Sequence, residues 1–496
     1  MAAEGTTPSL GTSLSWQSLN VVIQVVLQLA YISLLARWLD PEDFGIMAIA
    51  LVVVGVVEIF AQVGIGPSIV QKPDLSPLHI SSAWWFSAGL GLVFFAGMYV
   101  AAPELGQHYD TPELRRVLRW ISLSFVISGA SVVSRSLLIK RMDFRALTLC
   151  ALGGMVVGNL GVGLFLAWRG AGLWAYVAAL LTQNAVLSLG YLWLAPAPVR
   201  LGLKRHALRS LIGYGTRSTV FNVLTYAASK LDMVLVKENL GWREVGWYDR
   251  AVYLMGLPVT VLGKLGDSVL FSGLSAMQAD PEQLRQTTLR GLHFIALLTL
   301  PLSAGLAWHA DGVTTLLLGA KFADAAPVAS VLFVAVAFRG TTKLADATMR
   351  ALDGLNAGIA IKVAFLGALA GGVVWALDQG WGATGAAWAV VAASALQWLL
   401  SMAWMMARLS LNLADVGTSM GPAAALAAVV CLPLALFADW HWLASTAAAA
   451  FLGLATALCL PALSVPRRLD PDGTLRGAVA RRLPWTTLRT LWSNPK

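Results

Sequence analysis

Charged residues are scarce in this chain. Only 12% of its 496 residues are Asp, Glu, Lys or Arg, whereas 57% are hydrophobic, and a typical soluble domain carries about 25% charged residues. That composition argues against a soluble globule. The three cysteines, Cys150, Cys431 and Cys459, all lie inside apolar runs, so the sequence offers neither a disulfide framework nor a cysteine-based metal site.

Motifs for soluble chemistry are missing as well. The six histidines are scattered, with no HxxxH or HExxH spacing, and no GxxxxGK[ST] phosphate loop occurs. We therefore expect neither a zinc enzyme nor ATP hydrolysis by this chain. The connections between apolar runs, including that at about 310–327, are all too short for a folded catalytic domain. Its length counts against a membrane polymerase or ligase.

Long apolar runs are what the chain has in abundance. About 20 apolar residues cross the ~30 Å hydrocarbon layer as a helix, and fourteen stretches near that length are present. They lie at about 14–36, 44–63, 80–102, 117–137, 146–167, 172–194, 211–236, 251–270, 291–309, 328–349, 357–376, 383–406, 421–438 and 440–463. The sequence therefore predicts an all-α integral membrane protein with about 14 transmembrane helices. The first run has no basic n-region and no cleavage site, so we expect it to be retained.

Basic residues indicate the direction of crossing. With fourteen crossings both termini share a side, and lysine and arginine favour the cytoplasm. Cytoplasmic termini put nineteen basic residues in inside segments and nine in outside segments. The segment 464–496 then forms a basic cytoplasmic tail, which either rests on an anionic leaflet or is a solvated terminus. The net charge of +9 thus reflects membrane topology, and nucleic acid is not an expected partner.

An internal repeat relates two parts of the chain. The segment from Leu39 to Gly45 follows the first run, and the segment from Leu240 to Gly246 follows the seventh, at an offset of 201 residues. Polar residues inside the two runs match at the same offset: Gln17, Gln24, Gln28 and Tyr31 correspond to Ser218, Thr225, Ser229 and Asp232. Such repeats are typical of transporters. We predict two pseudo-symmetric six-helix lobes plus two C-terminal helices, bounded as 1–200, 201–410, 411–463 and a tail at 464–496.

The polar stripe of the first run needs a polar neighbour. Side chains such as Gln24 and Gln28 are costly when they face lipid, so we expect them to face a watery cavity. We interpret Gln17, Gln24, Gln28 and Tyr31 as a glycan-facing stripe. The alternative is hydrogen bonding between helices of a solid bundle.

Ionisable residues also fall inside the predicted spans. Apart from Arg119, which lies at the start of the fourth span and is counted with the outside segment before it, they are Glu58, Arg135, Arg217, Lys230, Asp232, Lys264, Asp267, Arg339, Lys343, Asp346 and Lys362. Each costs roughly 2.5–3.5 kcal/mol if unsupported, which indicates a hydrated, functional interior. Guanidinium and ammonium groups suit phosphate oxygens. Our candidates for a cavity that binds pyrophosphate are Arg217, Arg339, Lys343, Lys362, Lys264 and Arg135.

The acidic residues at membrane depth suggest ion coupling. A carboxylate in a low-dielectric site can carry a proton or bind Na⁺, and the candidates are Glu58, Asp232, Asp267 and Asp346. The alternative is charge pairing, because Lys264 with Asp267 and Lys343 with Asp346 stand at i, i+3 on their helices. We expect no cofactor beyond such an H⁺ or Na⁺.

Three stretches carry a resemblance to a known family. They are Leu34 to Gly45, reading LLARWLDPEDFG, then Gly64 to Gln71, reading GIGPSIVQ, and the stretch from Asp232 to Tyr248. The chain resembles the polysaccharide transporters of the multidrug/oligosaccharidyl-lipid/polysaccharide exporter superfamily, the Wzx-type O-antigen and exopolysaccharide flippases. The resemblance implies flipping of undecaprenyl-pyrophosphate-linked oligosaccharide from the cytoplasmic to the periplasmic leaflet of a bacterial inner membrane, by alternating access, with no catalytic residues.

Two other functions stay open beside a flippase. A multidrug antiporter of the same fold, of the MATE type, would prefer acidic cavity residues, whereas cations outnumber acids by seven to four inside the predicted spans. A glycan polymerase or ligase would catalyse glycosyl transfer. The expected partners of a flippase are a lipid-linked oligosaccharide, membrane lipid, and the polymerase and export machinery for polysaccharide.

Overall fold

The computed structural model describes residues 10–61, 65–72, 75–198, 216–276, 280–352 and 354–436. Every regular element within these ranges is a helix. Nine of the helices in the described ranges are long and apolar enough to cross a membrane. The predicted fold class, an all-α multi-pass membrane protein, is confirmed. The count of fourteen stays a prediction, and its last span, 440–463, lies outside the described residues.

The helices group into two compact units, Met1–Arg250 with Thr315–Asp324, and Ala251–Thr314 with Ala325–Lys496. The first part of the chain contains α1 (Leu10–Trp38), α2 (Pro41–Ala61), α3 (Ile65–Gln71), α4 (Pro77–His108), α5 (Pro112–Ile121), α6 (Leu123–Lys140), α7 (Phe144–Gly154), a π-helical segment (Met155–Gly163), α8 (Leu164–Trp168), α9 (Leu173–Leu194) and α10 (Thr216–Asn239). The rest contains α11 (Trp242–Ala276), α12 (Pro281–Trp308), α13 (Ala310–Leu318), a 3-10 helix (Ala320–Ala325), α14 (Ala326–Ala351), α15 (Leu355–Asp378), α16 (Gly382–Leu409) and α17 (Leu413–Leu436). The predicted boundaries of lobes, C-terminal helices and tail stay predictions.

Local sequence explains several helix boundaries. Helix α4 begins with a capping box, in which the Ser76 hydroxyl accepts from the His79 amide while the His79 ring accepts from the Ser76 amide. Asp143 and Asp280 cap α7 and α12 by accepting hydrogen bonds from backbone amides. Helices α11 and α12 continue through Pro258 and Pro301, and a proline inside a helix is a site at which the helix can bend.

The structure differs from the predicted spans in three places. The span at 117–137 is two helices, because α5 ends at Ile121 and α6 begins at Leu123. The span at 146–167 contains the π-helical segment. The connection at 310–327 is largely helical, with α13 and the 3-10 helix. Hydropathy averaged over the length of a span detects apolar segments, but it does not resolve a short break or a change of helix type.

Glycine brings backbones close together in the first unit. A β-carbon on Gly91 of α4 would lie 2.4 Å from the Phe125 carbonyl oxygen of α6, and one on Gly129 would lie 2.7 Å from the Ser87 carbonyl oxygen. Small residues permit such contact between membrane helices. A hydrogen bond from Trp84 Nε1 to the Ala130 carbonyl, 2.9 Å, adds to this interface. Helices α4 and α6 therefore pack as a rigid pair.

Polar contacts join α12 to α17 in the second unit. Arg285 donates to Asp415 at 2.8 Å, and the His293 ring donates from Nδ1 to the Ser419 carbonyl at 2.8 Å. Both contacts sit beside an apolar core that includes Leu292 of α12. Helix α17 is thus an integral part of the second unit.

Candidate functional site

The two repeated segments, which include the first turns of α2 and α11, touch each other in the first unit. A β-carbon on Gly45 would lie 2.1 Å from the Trp242 carbonyl oxygen, and one on Gly246 would lie 1.8 Å from the Pro41 carbonyl oxygen. Gly45 and Gly246 are 201 residues apart, as are Pro41 and Trp242. Pro41, the first residue of α2, therefore places its carbonyl oxygen against Gly246 of α11. Trp242, the first residue of α11, places its carbonyl oxygen against Gly45 of α2. We call these four residues the paired-loop contact.

Aromatic rings fill the space beneath the paired-loop contact. Phe44 is fully buried, with ring centroids 5.8 Å from Tyr176 and 5.5 Å from Phe322. The Arg250 guanidinium lies 4.5 Å from the centroid of the Phe44 ring. A cation over a desolvated ring is attracted by the ring's negative face. The first turn of α2 is therefore held by both aromatic packing and a buried charge.

Two buried polar pairs lie near the start of α11. The Asp249 carboxylate accepts from Arg250 Nε at 2.9 Å and also from its Nη2, and both side chains are buried. The Tyr248 hydroxyl donates to Asp232 Oδ2 of α10 at 2.9 Å. Asp232 is buried as well. Tyr248 is thus one hydrogen-bond partner of Asp232, and the role of Asp232 in ion coupling stays a prediction.

The indole ring of Trp242 is fixed at the edge of the first unit. Its Nε1 donates to Thr111 Oγ1 at 2.7 Å, the Tyr109 ring packs edge-on against it, and Lys237 Nζ lies 4.3 Å from its centroid. Burial, with the neighbouring Glu238 carboxylate, raises the pKa of Tyr109 to about 12. The phenol thus stays neutral at physiological pH. These contacts hold the Trp242 backbone where Gly45 meets it.

The predicted glycan-facing stripe divides in the structure. Tyr31 is buried, close to Gly163 of the π-helical segment and edge-on to Tyr176. Gln24 is half-buried and Gln28 is exposed. The side chain of Gln17 lies outside the described residues. The stripe's role stays a prediction.

Three of the predicted cation-site residues lie on α14 and α15 of the second unit. Arg339 is half-buried and donates from Nε to Ser394 Oγ of α16 at 3.2 Å. Lys362 is buried on α15. Lys343 is exposed and Asp346 is half-buried on α14. The hydrogen bond from Arg339 orients its planar guanidinium, which suits bidentate contact with an oxyanion.

The remaining predicted residues are spread along the chain. Arg135 is exposed on α6, and Glu58 is half-buried on α2. The side chains of Arg217, Lys264 and Asp267 lie outside the described residues. Among described residues, no group of His, Cys, Asp and Glu could hold a metal ion. The roles of Arg135, Glu58, Arg217, Lys264 and Asp267 in binding or coupling stay predictions.

Sequence reasoning missed the buried pair of Asp249 and Arg250. It placed Arg250 in an outside segment, because the apolar run begins at Ala251. The burial comes from Phe44, about 200 positions earlier in the chain. The sequence feature that could have revealed this pair is an acidic residue next to a basic residue at the start of an apolar run.

Adding a methyl group at Gly246 should weaken the first unit. In Gly246→Ala the new β-carbon would overlap the Pro41 carbonyl oxygen, and overpacking costs roughly 1–3 kcal/mol. We expect a lower midpoint of thermal unfolding, followed by tryptophan fluorescence of the purified protein. Gly97→Ala is the control, because a β-carbon there meets nothing within 4 Å. Equal midpoints for the two variants would contradict the paired-loop contact.

Removing one member of the buried ion pair should cost more than removing both. Arg250→Met leaves a buried Asp249, which costs roughly 3–5 kcal/mol, whereas Asp249→Asn with Arg250→Met removes both charges. We expect partial recovery of unfolding free energy in the double variant. The exposed pair Glu113 and Arg116, with side chains 47% and 54% exposed against 11% and 5% for Asp249 and Arg250, is the control. For that exposed pair, the coupling free energy between the two side chains should stay below about 1 kcal/mol. Equal coupling free energies in the buried and exposed pairs would contradict the prediction.

Comparison of sequences relates this chain to polysaccharide proteins. It is 24% identical to the lipopolysaccharide biosynthesis protein WzxC of Escherichia coli (strain K12), over 64% of this chain and 65% of that protein. It is 28% identical to the succinoglycan biosynthesis transport protein ExoT of Rhizobium meliloti (strain 1021), again over 64% and 65%. The chain thus spans about 65% of the length of these curated relatives.

Solved structures show the same fold. The lipid II flippase MurJ in an inward closed conformation aligns with a TM-score of 0.72 at 14% identity, covering 88% of this chain and 97% of that one. An inward-facing multidrug resistance MATE family transporter of the MOP superfamily aligns with a TM-score of 0.65 at 17% identity, covering 79% and 98%. At these identities the likeness concerns the fold alone.

A family model described as "Polysaccharide biosynthesis protein" matches residues 34–327. That range includes both repeated loops and the buried residues around them. The resemblance inferred from the sequence motifs is therefore confirmed. The chain belongs to the polysaccharide biosynthesis protein family.

Proposed function

We propose that this protein is a flippase for undecaprenyl-pyrophosphate-linked oligosaccharides, which it moves from the cytoplasmic to the periplasmic leaflet by alternating access. The observation that carries the proposal is the presence of Arg339 and the buried Lys362 on membrane-crossing helices of a chain in a polysaccharide biosynthesis family. The names of the relatives support it, because they refer to lipopolysaccharide and succinoglycan.

The chemistry of such a substrate matches these side chains. A cation at membrane depth costs roughly 2.5–3.5 kcal/mol on the insertion scale, which an anionic partner offsets. Pyrophosphate supplies adjacent anionic oxygens that accept charge-assisted hydrogen bonds. Ser394 orients Arg339 through a 3.2 Å hydrogen bond. In this proposal Arg339 and Lys362 contact the pyrophosphate, and the oligosaccharide follows along neutral polar side chains.

The proposal includes no chemical transformation of the substrate. We propose transport in the bacterial inner membrane without an enzymatic step or bound cofactor, and with H⁺ or Na⁺ as the coupling ion. Glu58 and Asp346, both half-buried, are the described acids we favour for coupling. The flipped lipid-linked unit would then pass to a polysaccharide polymerase and export machinery.

Loss of the cationic groups should stop transport. In a strain that lacks the gene, we expect Arg339→Ala and Lys362→Ala proteins to insert normally while lipid-linked oligosaccharide accumulates on the cytoplasmic leaflet. Ser394→Ala should reduce transport partially, because it removes only the contact that orients Arg339. The measurement is leaflet-resolved detection of the lipid-linked sugar, together with surface polysaccharide.

The matched control is Arg408→Ala, which removes an exposed arginine from α16 of the same unit. It should transport like the unchanged protein. Normal export by both Arg339→Ala and Lys362→Ala would overturn the proposal. Normal export with increased drug sensitivity after gene deletion would instead identify a MATE-like antiporter, and glycosyl transfer by the purified protein would identify an enzyme.

The proposed topology can be tested by labelling. With both termini in the cytoplasm, Ala171 lies outside and Lys204 lies inside. In a chain whose three cysteines are replaced by serine, we expect Ala171→Cys to react with a membrane-impermeant maleimide added to cells with a permeabilised outer membrane. Lys204→Cys should react only after the inner membrane is opened. The reverse pattern would invert the topology.

A further inference from the structure

Helix α5 is a short amphipathic helix with a basic face. Its buried residues are Leu114, Val117, Leu118 and Ile121, each fully buried. Arg115, Arg116 and Trp120 are exposed, and Arg119 is half-buried. We call Arg115, Arg116 and Arg119 the α5 arginine patch. The helix therefore packs its apolar side on the protein and leaves a cationic, aromatic side exposed, and a tryptophan such as Trp120 favours the membrane interface.

Two arginines of the patch have different local partners. Arg116 pairs with Glu113 on the same helix. The Arg119 guanidinium instead lies 4.4 Å from the centroid of the Tyr99 ring of α4. Its buried Nε has no hydrogen-bond acceptor among the described residues. An aromatic ring thus holds this guanidinium without neutralising its charge, which leaves the charge available to an anion.

An apolar strip continues from the patch along α4. Tyr99 and Val100 are exposed, with Val100 75% exposed, and Leu92 and Val93 are exposed two turns earlier. Tyrosine and tryptophan rings favour the level of lipid headgroups. Tyr99 and Trp120 therefore mark the headgroup level, and the exposed residues of α4 below them face the acyl-chain region.

The position of the patch is unusual for this chain. At the opposite end of helices α4 and α6, Lys72 precedes α4 and Lys140 ends α6, and Lys140 donates to the Lys72 carbonyl. In the proposed topology that opposite end is cytoplasmic, and only nine basic residues lie outside. Three of those nine belong to the ten residues of α5. Such a concentration runs against the positive-inside tendency and therefore calls for a local anionic partner.

We propose that the α5 arginine patch binds the phosphate headgroup of an anionic phospholipid. Arg115 and Arg119 stand at i, i+4 and share a helix face, and their guanidinium groups donate to the phosphate oxygens. One acyl chain lies along the exposed residues of α4. The lipid is a component of the surrounding bilayer and not the transported substrate, because this strip is an exposed surface of α4. The inference holds whichever solute the protein carries.

Lipid retention tests this site directly. The full-length protein is reconstituted with equal amounts of phosphatidylglycerol and phosphatidylethanolamine, extracted in mild detergent, and its retained lipids are measured by mass spectrometry. We expect the unchanged protein to retain an excess of phosphatidylglycerol. In Arg115→Gln with Arg119→Gln, that excess should fall at least threefold. Higher salt should also reduce it, because salt screens charge attraction at an exposed site.

Matched variants separate the site from general charge effects. Arg141→Gln with Arg145→Gln removes two exposed arginines with the same spacing elsewhere in the unit, and should leave the excess unchanged. Arg115→Lys with Arg119→Lys should restore part of it and shows that the fold survives substitution. An unchanged excess in the double glutamine variant would overturn the proposal. So would an equal loss in both double glutamine variants, or selective retention of an added polyprenyl diphosphate in place of phosphatidylglycerol.

Discussion

The first unit depends on a close approach between two backbones, at Gly45 and Gly246. Gly45 lies against the Trp242 carbonyl oxygen, and Gly246 lies against the Pro41 carbonyl oxygen. A β-carbon on either glycine would overlap that oxygen. The approach brings the first turns of α2 and α11 together, and that places Phe44 next to Arg250. The ion pair with Asp249 and the ring of Tyr176 then complete a buried cluster. Without the glycines, these side chains could not converge.

The bilayer explains how the polar side chains are arranged. Because lipid offers no hydrogen bonds, a buried polar group must find its partner inside the protein. Tyr226 illustrates this, since its hydroxyl donates to the carbonyl oxygens of Leu51 and Val52 on the neighbouring helix. Ser303 likewise donates to the Phe333 carbonyl. Arg339 follows the same rule through Ser394, whose hydroxyl accepts a hydrogen bond from its guanidinium.

Apolar length and sequence symmetry predicted much of this architecture. The runs of about 20 residues predicted the membrane helices, because crossing the hydrocarbon layer requires that length. The 201-residue offset predicted that the loops after α1 and α10 are equivalent. Equivalence does not imply contact, so the meeting of Gly45 and Gly246 could not be read from the offset.

Side-chain environments were harder to predict than helices. Lys362 was predicted at membrane depth and is buried. Lys343 and Arg135 were predicted at depth too, yet both are exposed. Hydropathy locates a residue along the membrane normal but does not distinguish the faces of its helix. Arg250 is the opposite case. It was predicted in an outside segment but is buried, because residues distant in sequence, such as Phe44, pack against it.

The packing of α12 against α17 has a consequence for synthesis of the chain. His293 and the Ser419 carbonyl that it contacts are separated by 126 residues. At about 5–20 residues per second, a ribosome needs roughly 6–25 seconds to add that length. During this interval α12 is complete, but Arg285 and His293 lack their partners on α17. The second unit therefore matures late, and membrane insertion factors have several seconds in which to shield these polar side chains from lipid.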